Sequence, residues 1–421
     1  MRRHVLCLLV SLACAAAVAA VAAAESVRPI PPLTADLSGQ LSLPKIPGLP
    51  PLAWRVHARP AAGHSLAFDA TATAPGLELR LECTLPGGES PGTWRLVRAK
   101  CDAAWWWRLS SEQAGITTLP ADFTLAGQLT LEGSGRWRGS EATGTLHATL
   151  AAGTAGSKSQ HWSASGLELV ADLELAPTRV AVRTARAHVD TIQAAGLTGR
   201  NLIVELAGAE AGRLAVSRAE VAAFGGRITV VPFTLDPVAP AVNSVLEFSG
   251  VSLGDLASFV PQAIQQAGGQ VAGRLSLNWS RQAGLGPANG SLAAAAGQAA
   301  TVRLASSPGL LTGNSPPRIA LLPAAMGPLS RWFSLENPAH GMLQRIELGQ
   351  APLAVENLSL RLYPDGAGGA RSAQVEVVAR TTGAGDVVEK VTFTVNVSGP
   401  LDHVLRLGLD DRANIRLNTA R

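Results

Sequence analysis

The chain has 421 residues, of which 47% are hydrophobic and 16% charged, with 43 Gly, 27 Pro and a formal net charge of +4. Soluble domains ordinarily carry about 25% charged residues, so this surface is unusually apolar. That hydrophobicity excludes disorder, Gly and Pro are too few for a collagen-like or low-complexity chain, and beyond the N-terminus no stretch reaches the roughly 20 apolar residues of a spanning helix.

Residues 1–24 read as a secretory signal: Arg2 and Arg3 are basic, Val5 to Val21 is apolar, and Ala22 to Ala24 offers a small-residue cleavage site. An uncleaved inner-membrane anchor is the alternative. Either reading puts the body of the chain outside the cytoplasm. Residues 25–51 form a Pro-rich, extended lead-in, and a β-rich region follows over 52–217. The basic residues are almost all Arg, with Lys only at 45, 100, 158 and 390. They are scattered singly and form no phosphate-tracking stripe, so no nucleic-acid partner is expected.

Hydrophobic period two dominates the body of the chain. Leu77, Leu79, Leu81 and Cys83 alternate with Glu78, Arg80 and Glu82, which marks a strand with one buried face. Pro86-Gly87-Gly88 turns the chain, and Trp94 to Cys101 returns as the partner strand. Cys83 and Cys101 are the two cysteines beyond the signal, an even pair in an exported chain, so a disulfide is expected to pin this hairpin. Trp105-Trp106-Trp107 reads as an aromatic plug closing one end of the sheet; an interfacial anchor or a sugar-stacking platform is the alternative. Leu167 to Leu175, Leu358 to Leu362 and Val391 to Val397 repeat the alternation.

One strand phrase recurs: Leu37-Ser-Gly-Gln-Leu-Ser-Leu43, Leu125-Ala-Gly-Gln-Leu-Thr-Leu131 and Val271-Ala-Gly-Arg-Leu-Ser-Leu277. The intervals are irregular, which argues for many similar strands of one long sheet over a fixed-period solenoid. Helical signals are few. Ser252 and Asp255 resemble a capping box, opening a short helix with Leu253, Leu256, Phe259 and Val260 on its apolar face. Gln262 to Gln266 adds a possible further turn, and Pro328 to Phe333 a second short helix.

No catalytic constellation emerges. Gly88-Glu-Ser-Pro-Gly92 spells GxSxG, but the residue after Ser90 is Pro91, which has no N–H to donate to an oxyanion. The histidines lack the spacing of metal ligands, and Asp410-Asp411 reads as a terminal turn. No metal, cofactor or catalytic residue is therefore assigned, and the chain is expected not to be an enzyme.

The segment from Phe224-Gly-Gly-Arg-Ile-Thr-Val230, through Leu235-Asp-Pro237 and Phe248-Ser-Gly-Val-Ser-Leu253, to Gly268-Gly269 and Val271 to Leu277 resembles the C-terminal part of YdbH-type proteins of the AsmA-like superfamily. Leu353 to Leu358 and Tyr363-Pro-Asp-Gly366 are similar to the strand pair closing that region, so 218–421 is assigned to it. The resemblance implies an all-β, elongated, twisted sheet forming a groove, with one or two short helices. It also implies a non-enzymatic periplasmic role in moving phospholipid between the inner and outer membranes. A dicarboxylate-transport label also attached to the family finds no support in these residues. By this analogy Leu125, Leu129, Leu131, Val271, Leu275, Leu277, Leu358, Leu360 and Leu362 are assigned to the groove face, a phase that a one-residue slip would invert. Large members are longer than this chain, so an envelope protein partner is expected, joined by strand addition at the C-terminal edge near Leu405 to Leu417. The alternative function is a structural or adhesive envelope β-sandwich that binds protein or glycan through its loops.

Overall fold

The computed structural model describes residues 34–41, 51–62, 65–86, 91–104, 107, 122–138, 141–159, 161–177, 179–194, 197–236, 239–258, 260–280, 284–313, 315–320, 334–363, 373–382, 388–398 and 414–419. The fold is all-β, an open antiparallel sheet with two helices, as the period-two alternation requires. The segments 1–24, 105–106, 328–333 and 405–411 lie outside the described residues, and with them the signal, most of the tryptophan run, the second expected helix and the Asp pair. The chain divides into two compact units, 1–194 with 200–217 and 195–199 with 218–421.

In the first unit, β1 (Ala35–Leu41), β2 (Leu52–Ala61), β3 (Ser65–Ala74), β4 (Leu77–Leu85), β5 (Gly92–Asp102), β6 (Thr124–Arg138), β7 (Glu141–Ser157), β8 (Trp162–Ala176) and β9 (Arg179–Ala194) each pair antiparallel with the next. β10 (Leu197–Gly208) and β11 (Leu214–Ala223) are each divided between the two units. The pairing is by chain order, each strand returning beside its predecessor.

β5 carries one residue too many for both neighbours. Arg80 and Leu81 face Arg98 and Leu96, while Leu96 and Ala99 face Gly133 and Leu131. The resulting bulge at Val97 and Arg98 resets the phase, so that Trp94, Leu96, Ala99 and Cys101 are all buried although Leu96 and Ala99 are three apart.

The expected disulfide does not form. Cys83 stands opposite Trp94, and Cys101 stands opposite Leu77. The six-residue offset along β4 from Leu77 to Cys83 is about 20 Å of strand, far outside the reach of a disulfide. Two cysteines on neighbouring strands can bridge only from nearby rungs, and the turn after Leu85 places these two at opposite ends of the hairpin.

The second unit contains β12 (Gly226–Val230), β13 (Phe233–Leu235), β14 (Ala241–Ser252), α1 (Leu253–Ala257), β15 (Ile264–Gly268), β16 (Gln270–Ser280), β17 (Gly284–Leu285), β18 (Ala288–Ala294) and β19 (Thr301–Leu304). After these come β20 (Arg318–Ala320), β21 (Ser334–Glu336), α2 (Pro338–Glu347), β22 (Leu353–Leu362), β23 (Ala373–Thr381), β24 (Lys390–Ser398) and β25 (Asn414–Thr419). β14, β16, β18, β22, β23, β24 and β25 follow one another antiparallel.

Ser252 caps α1 by accepting the N–H of Asp255 at 3.2 Å. The helix ends at Ala257; a single hydrogen-bonded turn follows over 261–263, where the Ile264 N–H donates to the Val260 carbonyl at 3.0 Å, and Ile264 to Gly268 is strand, paired with β19. α2 went unforeseen, although Asn337 followed by Pro338 is an N-cap signal with Pro at the first helical position. The Asn337 side chain accepts the N–H of Ala339 at 3.1 Å.

The second unit has a closed core. Val251, Val271, Leu304, Ile346, Leu353 and Phe393 have no exposed surface, and α1, α2, β15 and β19 supply much of the covering. Glu347 at the end of α2 is 2% exposed. Its carboxylate accepts the N–H groups of Leu311 and Thr312, at 2.9 and 3.1 Å, and the Thr312 hydroxyl at 2.8 Å. Burial acts to raise its pKa, and these donors outweigh it, holding the carboxyl below its ordinary value.

Candidate functional site

In an antiparallel sheet, side chains directly opposite each other lie on the same face, so the register can be read across the strands. One row of the first unit runs Gly39, Trp54, Ala72, Leu79, Ala99, Leu131, Ala148, Ala171, Ala185, from β1 to β9. Beside it runs Leu37, Val56, Ala70, Leu81, Leu96, Gly133, Leu146, Leu173, Val182. On its other flank lie Ala74, Leu77, Cys101, Leu129, Leu150, Leu169 and Ala187. Every member is apolar or glycine.

The opposite face is polar. Asp36, His57, Asp69, Glu82, Arg95, Ser134, Thr145 and Glu174 form one of its rows. His57 pairs with Asp36, and His147 with Asp172, both at 2.8 Å. The hydrogen bond from His147, and then one from Thr184, hold the Asp172 carboxyl below its usual range. A depression of about 650 Å³ opens on this polar face between Arg95, His147, Asp172 and Thr184. Its lining mixes these polar groups with Leu96, Val97, Leu146 and Leu173.

Among the described residues, the aliphatic face is sheltered by the strands' own side chains. Leu79, Leu81, Leu96, Leu131, Leu146, Ala148 and Ala171 retain 5–9% of their surface, and the cluster they form consists only of strand residues. Among the described residues no helix or second sheet of this unit lies over them. Where one row reaches β1, Leu37 is 42% exposed, while its member on β9, Val182, is half-buried.

Glycine lets tryptophan and neighbouring strands approach closely on this face. The Trp94 indole lies over Gly144, where an added Cβ would come within 2.7 Å of the ring and 2.8 Å of Gly135 Cα. Its Nε1 donates to the Thr143 carbonyl at 3.2 Å. Beyond a bulge near Gly127, Leu125 faces Ala155. At that end Trp107 meets Phe123 edge-on at 4.7 Å, and Phe123 lies 6.0 Å from Trp162.

In the second unit the rows Phe248, Gly273, Leu292, Leu358, Val377, Phe393 and Leu246, Leu275, Gly290, Leu360, Val375, Val395 are likewise apolar. Leu277 faces Ser244, and Leu362 lies between Ala288 and Ala373. Here the face is sealed: Val271 has no exposed surface and Leu358 belongs to the same closed cluster. Leu275, Leu277, Leu360 and Leu362 are half-buried. The register thus places Leu129 and Leu131 on the unlayered face of one unit, and Val271 and Leu358 inside the core of the other. Sequence alternation alone could not separate these, because an open trough and a packed core share the same period.

The family model for YdbH-like proteins, described as intermembrane phospholipid transport protein YdbH, matches residues 103–321, more than half of the chain. The chain belongs to the YdbH-like family. The matched stretch contains the phrases from Leu125 to Leu131 and from Phe224 to Leu277, and ends before Leu353. No curated protein and no solved structure matches the chain. The YdbH-like family is one of intermembrane phospholipid transport, and phospholipid is the partner that fits it.

Proposed function

We propose that the aliphatic face of the first unit is a trough that shields phospholipid acyl chains in the periplasm while headgroups remain in water. The observation that carries this reading is the continuity of the apolar rows across nine strands with no described layer above them. Each methylene sheltered there contributes about 0.8 kcal/mol, so a few contacts per chain hold a lipid without a discrete pocket. The protein performs no chemical step; it offers a surface along which lipid passes between inner and outer membranes. Leu129 and Leu131 line the trough, with Leu125 beyond the bulge at its end. Leu275, Leu277, Leu360 and Leu362 stand at the margin of the second unit's core, while Val271 and Leu358 support that core. The N-terminal segment attaches the chain to the inner membrane or is removed after directing export. β25 bonds on one side to β24, and its other edge is the place for an envelope partner's strand.

The sealed core of the second unit supports a second reading, in which the protein is a structural or adhesive element of the envelope. Photocrosslinking separates the two. A photoreactive residue at position 129 or 131 is expected to capture phospholipid in cells, and one at position 130 or 134, on the polar face, is not. Equal capture at all four positions, or none, rejects the trough in favour of the structural reading.

A further inference from the structure

The depression on the polar face of the first unit lies between two bulges. β5 has one residue more than β6 between the pairs Leu96–Gly133 and Ala99–Leu131. β9 has one more than β8 between the pairs Leu173–Val182 and Asp172–Thr184. Gly133, Leu146 and Leu173 face one another in register, so both extra residues fall on one rung, at the two flanks of the depression. A bulge bends its strand and re-aims a side chain. Here Val97 and Arg183 enter the lining of a depression of about 650 Å³, a volume within the range of small-molecule sites.

Its charges divide into those already engaged and those left over. The Asp172 carboxylate accepts from His147 at 2.8 Å and from the Thr184 hydroxyl at 3.0 Å. Arg95, Glu132 and Arg183 line the same depression, and among the described residues none of the three is in an ion pair or a side-chain hydrogen bond. Arg95 stands on β5, Glu132 on β6 opposite His147, and Arg183 on β9. A guanidinium therefore stands on either side of one unsatisfied carboxylate.

We infer that this depression binds the phosphoethanolamine headgroup, a small zwitterion. Guanidiniums without an acid of their own suit a phosphate, and a carboxylate without a base suits a primary ammonium, whose N–H groups it can accept. A purely anionic ligand sets Glu132 against a like charge, and a purely cationic one does the same to the two arginines. Choline keeps the positive charge but offers Glu132 no N–H. The inference rests on the trough reading only in taking phosphate as the oxyanion. The site lies on the face opposite the aliphatic rows, so headgroup binding and acyl-chain shelter are separate events.

The test is calorimetric titration of the purified full chain, at low salt, with soluble probes. Glycerophosphoethanolamine carries both charges, glycerol phosphate only the anion, and glycerophosphocholine a cation without an N–H. The first is expected to bind about tenfold more tightly than either of the others. Arg183→Gln and Glu132→Gln are each expected to weaken its binding by about tenfold, the scale of one charged hydrogen bond. Glu132→Gln is also expected to tighten glycerol phosphate binding, a gain that misfolding does not produce. Arg55→Gln, on β2 of the same polar face, is expected to bind as the parent does. No binding of glycerophosphoethanolamine by the folded parent, equal binding of all the probes, or an equal loss in Arg55→Gln overturns the inference. Phosphatidylethanolamine vesicles distinguish the source. Their capture, reversed by glycerophosphoethanolamine, assigns the site to a bilayer headgroup; binding of the soluble probe alone assigns it to the deacylated form. The phospholipid co-purifying with Glu132→Gln, read by mass spectrometry, is expected to match the parent's and reports on the trough independently.

Discussion

Two side chains show how their surroundings decide their behaviour. Burial, and then the charge of neighbouring Asp102, push the Cys101 thiol up to about 12, so it stays protonated and unreactive at neutral pH. With the two cysteines at opposite ends of the β4–β5 hairpin, the thermal midpoint should be the same with and without dithiothreitol. Maleimide should label Cys101 only after unfolding. A reductant-dependent midpoint would show a bridge and a different hairpin register. Glu347 makes a pH-dependent contribution to stability. Its folded pKa is depressed, so its contribution is fully present above the unfolded value of about 4.3 and is lost as pH falls through the folded one. Glu347→Gln should therefore cost about 1–3 kcal/mol at neutral pH, from weakened bonds to Leu311 and Thr312. The difference from the parent should shrink below pH 4, as read by denaturant unfolding at several pH values.

At the scale of elements, glycine positions and bulges decide what alternation alone leaves open. In the recurring phrase, a Cβ built on Gly273 would lie 2.8 Å from Leu292 Cα on the next strand. Gly273→Ala is expected to destabilise the second unit by about 1–3 kcal/mol through the pairing of β16 with β18; hydrogen exchange at Val271 to Leu275 reads this directly. Most strands were legible from period two, because each buries one face and wets the other. The bulge at Val97 was not, since it depends on how β5 must fit two neighbours at once. The pairing of the cysteines failed for the same reason: composition says that two thiols are present, and register says which rung each occupies. α2 was written in Asn337-Pro338, while the turn and strand after Pro261 reflect pairing with β19, which is distant in sequence.

For the whole molecule, the decisive contrast is between an apolar face with no described layer above it and one enclosed in a packed core. Leu131→Arg should leave a folded protein, because an arginine on an unlayered face can carry its guanidinium to water along its own stem. It should also lower the phospholipid recovered per chain several-fold. Val271→Arg buries the same charge in a closed core and should fail to fold, at a cost of several kcal/mol. Circular dichroism and lipid mass spectrometry on the two variants check both outcomes; equal folding would remove the distinction between the units. The candidate face was legible as a phase, through Leu129 and Leu131, but its openness depends on what packs above it, which no strand's own sequence records. The central row has a further consequence. Toward β9 it reads Ala148, Ala171, Ala185, near-identical methyl groups repeating at about 4.8 Å from strand to strand. A hydrocarbon chain shifted by one strand exchanges each contact for its equal, so its energy profile there is nearly level and has no preferred stopping point. On the proposed reading, passage along such a lane would be a random walk, whose drift is set by how fast lipid is supplied at one end and withdrawn at the other.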